Sequence, residues 1–182
     1  MSMVLGMQPV TPWTPLGRSI GRTHKMVRAW GDRELAALDS SVTEWIVLFH
    51  IGSAPAPGAS QTQIARYSEM GGPALVRHTD RLEAEGIVTR TRDTTDRRII
   101  RLALTEAGHE RLEALRVVMA RCDEAMRSVL DDDEAEVLQG ALDKVFAFTL
   151  AELHAGDPSA FPSDPPPGFG TSPLDPITRS TS

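Results

Sequence analysis

RTRDTTDRRIIRLALT, residues 90–105, carries five arginines within its first twelve positions and ends in an alternation of apolar and other side chains. An alternation with a period of two predicts β-strands, and the polar segment DTTD at residues 93–96 predicts the turn between two of them. The apolar face of the second strand is expected to consist of Ile100, Leu102 and Leu104. The stretch therefore predicts a cationic β-hairpin in a chain whose formal net charge is −6.

Two helices are predicted immediately before this hairpin. SQTQ at residues 60–63 has the pattern of a capping box that begins the first helix, and MGG at residues 70–72 ends it. Pro73 suits the first position of the second helix, because a missing N–H costs nothing there, and Gly86 suits its left-handed end. Residues 60–86 thus have the spacing of a helix-turn-helix, and a hairpin directly behind it is a wing.

Helical patterns flank this unit on both sides. Apolar residues at spacings of three and four predict a helix from Leu16, and Ser41 with Glu44 predicts the capping box of the next helix, which the segment GSAPAPGAS breaks. Downstream, Thr105 is expected to N-cap a long helix. The acidic run at residues 131–133 suits the start of a last helix, because negative side chains are favoured at the positive end of the helix dipole.

Composition and charge narrow the class of protein. The chain has 182 residues and is 41% hydrophobic, as expected of a soluble globular protein. It has neither a run of roughly 18 apolar residues nor a secretory signal pattern, so we expect a cytoplasmic protein without a membrane partner. The net charge argues against a nucleic-acid partner, yet residues 60–105 hold eight Arg against six Asp and Glu, which concentrates positive charge in one segment.

LVRHTDRLEAEGIVTRTRDTTDRRIIRLALTEAG, residues 75–108, resembles the core of the MarR family of winged helix-turn-helix transcriptional regulators. The family's wing pattern D-x-R-x5-L-T is met by Asp96, Arg98, Leu104 and Thr105. RLEAEGIV and VTEWIVLFHI are similar to its recognition-helix junction and its second helix. The resemblance covers residues 16–154 and implies a mainly α fold with a small β-hairpin wing, that is, a winged helix-turn-helix with flanking dimerisation helices.

The resemblance also implies a homodimer, and together with the sequence patterns it leads to a division into segments. A two-fold dimer doubles the few base contacts of one helix-turn-helix on a palindromic operator, with half-sites about 34–36 Å apart. The segments are a flexible N-terminal arm at residues 1–15, an N-terminal dimerisation helix at 16–40, a winged helix-turn-helix DNA-binding domain at 41–105, C-terminal dimerisation helices at 106–155 and a disordered Pro-rich tail at 156–182. Pro, Gly and Ser supply 15 of the last 27 residues, which is typical of disorder.

The second helix of the helix-turn-helix is expected to present an outward face to DNA. Its buried stripe falls on Leu75, His78, Thr79 and Leu82, of which the two polar residues depart from the family pattern. The outward face is then formed by Pro73, Ala74, Val76, Arg77, Asp80 and Arg81. Arg77 is expected to contact a guanine edge, and Ala74 and Val76 suit thymine methyl groups. For Arg81 the alternative is an ion pair with Glu85 four residues on.

The wing is expected to reach the minor groove. Arg97 or Arg98 would enter it, because narrow A·T-rich DNA concentrates negative potential that attracts guanidinium groups. The resemblance implies that Asp96 holds Arg98 in place. Arg90 and Arg92 are expected to contact phosphates, which set affinity and register without distinguishing sequences. For all these arginines the alternative is a solvated, charged face.

The family commonly binds small aromatic or phenolic ligands between its dimerisation and DNA-binding parts. The resemblance makes Trp30, Trp45 and Arg116 candidates for such a lining, although tryptophans at helical spacing are also typical of plain core. Cys122 lies on an apolar helical stripe, which favours a buried structural thiol over a redox sensor. The histidines and acidic run show no metal-ligand spacing and no catalytic motif is present, so we expect no metal, no cofactor and no enzymatic activity.

These patterns predict a sequence-specific DNA-binding transcriptional regulator, in the form of a dimeric repressor that an aromatic ligand releases from double-stranded DNA. The alternative is a winged-helix protein-interaction module without sequence-specific DNA binding. The net charge of −6 and the polar residues His78 and Thr79 favour the alternative. The pair Asp96 and Arg98 favours the regulator.

Overall fold

The computed structural model describes residues 15–68 and 70–156, so the predicted arm and tail lie outside it except at Pro15 and Gly156. The described elements are α1 (Leu16–Leu35), a 3-10 turn (Ala36–Leu38), α2 (Val42–Gly52), β1 (Ala59–Ser60), α3 (Gln61–Tyr67), α4 (Gly72–Ala84), β2 (Val88–Arg92), β3 (Ile100–Leu104), α5 (Glu106–Arg127) and α6 (Asp132–Gly156). The mainly α fold with a hairpin wing is confirmed. None of the described helices has the length and apolar character to span a membrane.

The sheet has three antiparallel strands in the order β1-β3-β2, one more than the sequence predicts. The hairpin pairs Val88 with Leu104 and Arg92 with Ile100, as expected. The extra strand pairs Ala59 with Leu102. It lies in GSAPAPGAS, which the sequence marks only as a break, because two residues are too short to show a strand period.

The predicted helix ends are mostly confirmed. The Ser60 hydroxyl accepts from the Gln63 N–H while the Gln63 side chain accepts from the Ser60 N–H, which completes the capping box. The Thr105 hydroxyl accepts from the Gly108 N–H, and Gly86 has a left-handed φ of 72°. Pro73 is the second rather than the first residue of α4, because that helix begins at Gly72.

The capping box predicted at the start of α2 is half formed. The Ser41 hydroxyl accepts from the Glu44 N–H at 3.2 Å, as expected. The Glu44 carboxylate does not complete the box, because it turns inward to two arginines. A local pattern therefore identified the helix start correctly but assigned the acidic side chain to the wrong partner.

One hydrophobic core joins α2, α4, β3 and α5. Its fully buried leucines include Leu48, Leu75, Leu82, Leu102 and Leu115. Thr79 lies among them with no exposed surface, and its hydroxyl donates to the Leu75 carbonyl at 3.0 Å. This bond satisfies the polar group, so the departure from an apolar stripe is compatible with close packing of α4.

The wing is joined tightly to α5. The Thr105 hydroxyl donates to the Gly86 carbonyl at 2.6 Å, and its N–H donates to the Ile87 carbonyl at 3.1 Å. Gly108 lies directly against this carbonyl, where an added Cβ would overlap the Ile87 oxygen. The first turn of α5 thus packs onto the backbone that begins the wing, and it requires a glycine to do so.

Buried His50 predicts a pH dependence of stability. His50 is 6% exposed in α2, and burial lowers its pKa from 6.5 to about 4. Between pH 6.5 and pH 4, His50 is protonated in the unfolded chain but remains neutral in the folded chain. The contribution of His50 to the free energy of unfolding should therefore be constant above pH 6.5. It should decrease as the pH falls below 6.5, by up to about 1.4 kcal/mol per pH unit.

Urea unfolding of wild type and His50→Leu at pH 7, 6 and 5, at one protein concentration, measures this dependence. The difference between the two proteins isolates His50, because carboxylates that titrate at low pH contribute equally to both. We expect wild type to lose more stability than the variant between pH 7 and pH 5. Parallel losses would contradict the assignment.

Candidate nucleic-acid interface

Helix α4 exposes most of the face that the sequence predicts. Pro73, Val76, Arg77 and Asp80 are exposed, and Ala74 is half-buried. The Arg77 guanidinium makes no ion pair with any residue that the structure describes. The connection from α3 to α4 spans residues 68–71, so α4 follows α3 as the second helix of a helix-turn-helix.

Arg81 forms ion pairs with two carboxylates of the same chain. Its Nη1 donates to Glu85 Oε1 at 3.1 Å, which is the predicted alternative. Its Nη2 also donates to Oε2 of the buried Glu44 at 2.6 Å. This second partner lies 37 residues earlier in the chain, so no local pattern indicates it. The geometry favours a structural role for Arg81 over the predicted contact with DNA.

Arg90 joins the wing to α4. Its guanidinium donates to Asp80, to the Thr79 hydroxyl and to the Val76 carbonyl, the last at 3.3 Å. Glu83 lies 3.6 Å from Arg90 Nε. Four groups of one helix therefore engage this side chain, an arrangement that favours a clamp between β2 and α4 over the predicted phosphate contact.

The turn of the wing is organised by Asp93, a residue that the sequence analysis did not single out. Its carboxylate accepts from the N–H groups of Thr95 at 2.8 Å and Asp96 at 3.0 Å. Arg101 Nε donates to its other oxygen at 2.8 Å, and Arg101 Nη1 donates to the Gly58 carbonyl at 3.3 Å. The sequence did contain a signal for this role: Asp at the first position of DTTD, followed by two Thr, is typical of a turn in which the Asp side chain bonds the backbone two residues on.

The hydrogen bonds to Asp93 stabilise its charged form. Donation from the backbone of Asp96 and Thr95, and then from the Arg101 side chain, lowers the pKa of Asp93 to about 2. The carboxylate is therefore ionised at neutral pH and holds the turn as an anion.

Asp96 positions Arg98 through the backbone. Its Oδ1 accepts from the Arg98 N–H at 3.0 Å, whereas the resemblance implied a hold on the arginine itself. The side chains of Arg92, Arg97 and Arg98 are exposed, and they make no ion pair within residues 15–68 and 70–156. Together with Arg77 they form what we call the arginine surface.

Other groups considered from the sequence lie elsewhere. Trp30 Nε1 donates to Glu34 at 3.0 Å, Trp45 packs on Phe49, and Arg116 pairs with Glu113 at 2.6 Å. A cavity of about 150 Å³ near the start of α3 includes none of these three candidates for a ligand lining; it is lined by His50, Ala54, Pro55, Ala56, Pro57, Gly58, Ala59, Gln63, Ile64 and Arg101.

Cys122 and the acidic side chains have structural explanations. Cys122 is 4% exposed, and burial raises the pKa of its thiol, which favours the unreactive protonated form. Asp131 and Glu134 cap the start of α6 reciprocally, at 2.8 and 3.0 Å. In the part of the chain that the structure describes, no group of His, Cys, Asp and Glu side chains is arranged to hold a metal ion.

A helix-turn-helix with an exposed second helix, followed by a hairpin that carries unpaired arginines, defines a winged helix-turn-helix protein of the DNA-binding class. A model of the MarR family matches residues 38–99 of the chain. This match and the solved structures below show that the chain is similar to the MarR family of winged-helix transcriptional regulators.

Three solved structures illustrate the similarity. The transcriptional repressor CouR bound to a 23-mer DNA duplex is 27% identical, with 72% of this chain and 92% of that chain covered and a TM-score of 0.65. Apo wild-type MarR from E. coli is 25% identical, with 74% and 98% covered and a TM-score of 0.65. The S. aureus MepR–DNA complex is 20% identical, with 74% and 98% covered and a TM-score of 0.66.

Removal of the Asp93 carboxylate should loosen the wing turn. In Asp93→Ala the N–H groups of Thr95 and Asp96 lose their acceptor, so we expect their amide hydrogens to exchange roughly five- to tenfold faster. Amide exchange followed by NMR measures this directly. The control is Asp123→Ala, which breaks the exposed pair of Asp123 with Arg127 in α5. Equal exchange of the Thr95 and Asp96 amides in wild type and Asp93→Ala would show that Asp93 does not order the turn.

Proposed function

We propose that this DNA-binding regulator is a dimeric repressor that recognises a palindromic operator and is released from it by a small aromatic ligand. The observation that carries the proposal is the arginine surface. Its four guanidinium groups lie on α4 and the wing, where a winged helix meets DNA. The other arginines of α4 and the wing, Arg81, Arg90 and Arg101, are instead paired with nearby carboxylates.

The arginine surface supports two kinds of DNA contact. Arg77 on α4 suits a bidentate bond to guanine in the major groove, beside the exposed Val76 for a thymine methyl group. Arg97 and Arg98 on the wing suit the minor groove, and Arg92 suits a phosphate. The structure of CouR, at 27% identity, contains a DNA duplex, which supports this mode of binding for the present chain.

A fluorescence-anisotropy titration tests the proposal. The probe is duplex DNA from just upstream of the protein's own gene, with a scrambled duplex as control, at two salt concentrations. We expect Arg77→Ala to lose about 1–3 kcal/mol of binding free energy and most of the sequence preference. Arg98→Ala should weaken binding and reduce the salt slope by about one, whereas Arg127→Ala on α5 should match wild type.

Absent or equal binding to the two duplexes, insensitive to salt and to both substitutions, would contradict the proposal. That outcome would favour the alternative of a protein-interaction module, which the net charge of −6 supports. An interaction module does not release counterions from DNA, so it lacks the steep salt dependence.

The proposed homodimer rests on apolar side chains that one protomer leaves exposed. No described side chain of α6 is buried, and α6 exposes Val137, Leu138, Leu142 and Phe148. Helix α1 exposes Leu16 and Met26. So many exposed apolar side chains on one helix are typical of an interface rather than of a solvated helix.

The charges of the two helices are complementary. Helix α1 carries five Arg and Lys against two Asp and Glu, whereas α6 carries six Asp and Glu against one Lys. Because one chain carries both a basic and an acidic helix, a second copy of the same chain offers each of them a complementary partner. This pattern favours the same chain as partner and an arrangement in which α1 of one copy meets α6 of the other.

Sedimentation velocity at micromolar concentration measures the proposed dimer. Wild type should sediment as a dimer. Leu142→Glu, at a position that is 41% exposed in the protomer, should shift it toward monomer because a buried, unpaired carboxylate is costly at an interface. Gln139→Glu adds the same charge at an exposed position of α6 already polar, and serves as control. A monomeric wild type would overturn the dimer.

The proposed ligand response depends on which conformation of the protein the effector binds. CouR has also been solved with p-coumaroyl-CoA, at 26% identity to this chain, which supports an aromatic effector. An effector releases the protein only when it binds the DNA-free conformation more tightly than the DNA-bound one. A ligand that binds both conformations equally would leave the operator occupied.

A further inference from the structure

Glu44 is a buried charged residue that connects three helices. Its side chain in α2 is 2% exposed. Oε2 accepts from Arg81 of α4 at 2.6 Å, and Oε1 accepts from Arg111 of α5 at 3.0 Å to Nη2 and 3.1 Å to Nε. Arg111 Nη2 also donates to the Asp39 carbonyl at 3.2 Å, just before α2. Each carboxylate oxygen thus has its own arginine, one from the recognition helix and one from the long helix α5.

This arrangement is ionised in the folded protein. Burial by itself raises the pKa of Glu44, but the hydrogen bonds from Arg81 and Arg111 outweigh burial and leave the pKa below its usual value. A buried ion group of this kind costs desolvation that an apolar cluster of equal volume would avoid. A carboxylate between two arginines instead fixes the relative orientation of the helices that carry them, because each hydrogen bond forms in only one orientation of its partners.

The orientation in question is that of α4 relative to α5. Helix α4 packs on α3 and β2, and Arg90 ties it further to the wing, whereas α2 packs on α5 and also contacts β3 and α3. The leucines shared between these groups contribute burial, which is non-directional. Glu44 adds a directional link between the two groups, with Arg81 on one side and Arg111 on the other.

We propose that Glu44 is a positioning residue for DNA recognition: it fixes the angle of α4 on α5 and thereby the spacing of operator half-sites that the dimer accepts. The inference rests on the proposed function, because α5 sets half-site spacing only in a dimer on a palindrome. Arg81 acts through Glu44 rather than on a base, and Arg111 acts without approaching DNA. Loss of any one of the three side chains should broaden the accepted spacing.

The test compares affinities across a set of operator duplexes whose half-sites are moved apart or together by one and two base pairs. Each base pair both lengthens and rotates the site, so a rigid dimer has a sharp optimum. We expect wild type to prefer its best spacing over the neighbouring ones by about tenfold, within the range of measured couplings between sites. Glu44→Gln, with the same shape and no charge, should reduce this preference to about twofold.

The matched control is Glu113→Gln, which removes the charge of an exposed carboxylate on α5 that pairs with Arg116. It should keep the wild-type spacing profile. Arg111→Gln is the second variant, because it retains the bond from Arg81 to Glu44. If circular dichroism shows that Glu44→Gln does not fold, Arg111→Gln alone provides the test. It should broaden the profile as well.

The outcomes separate the inference from the proposed function. A uniform loss of affinity at every spacing, or an unchanged profile, in Glu44→Gln and Arg111→Gln would overturn the positioning role while wild type still binds. Wild type that binds none of the duplexes would overturn the proposed function, and the inference with it. A broadened profile in both variants, with Glu113→Gln unchanged, supports the assignment.

Discussion

The pairing of β3 on both of its edges is the constraint on which the DNA-binding half of the molecule depends. On one edge β3 holds β2 and so forms the wing. On the other edge it holds Ala59 and Ser60, and Ser60 is the residue that caps α3. The start of the helix-turn-helix and the wing therefore share one strand. Leu102, fully buried in the middle of β3, anchors that strand in the core.

The arginines of α4 and the wing divide into two groups that composition cannot distinguish. Arg81, Arg90 and Arg101 each have a carboxylate within hydrogen-bond distance, and they join one element to another. The arginine surface has no such neighbours among the described residues. Local carboxylates such as Asp80 and Asp93 thus decide which positive charges remain for DNA. This division explains how an acidic chain presents a cationic face.

Sequence patterns identified several features that depend on near neighbours. The capping box at Ser60, the N-cap at Thr105 and the alternating face of β3 follow from residues within four positions of one another, and the structure confirms them. Strand β1 was missed because its partner lies more than 40 residues later. The inward turn of Glu44 was missed for the same reason. The local pattern predicted a capping box with Ser41, whereas Arg81 and Arg111 reach Glu44 only in the folded protein.

The close packing of Gly108 against the Ile87 carbonyl has a mechanical consequence. The contact leaves no space for the two segments to move relative to each other, and the two hydrogen bonds from Thr105 hold them together. The wing and the first turn of α5 therefore form one rigid unit, joined where residues 86–87 contact residues 105–108. A small rotation of α5 about this junction would displace the tip of the wing further than the junction itself, because the tip lies a full strand's length away.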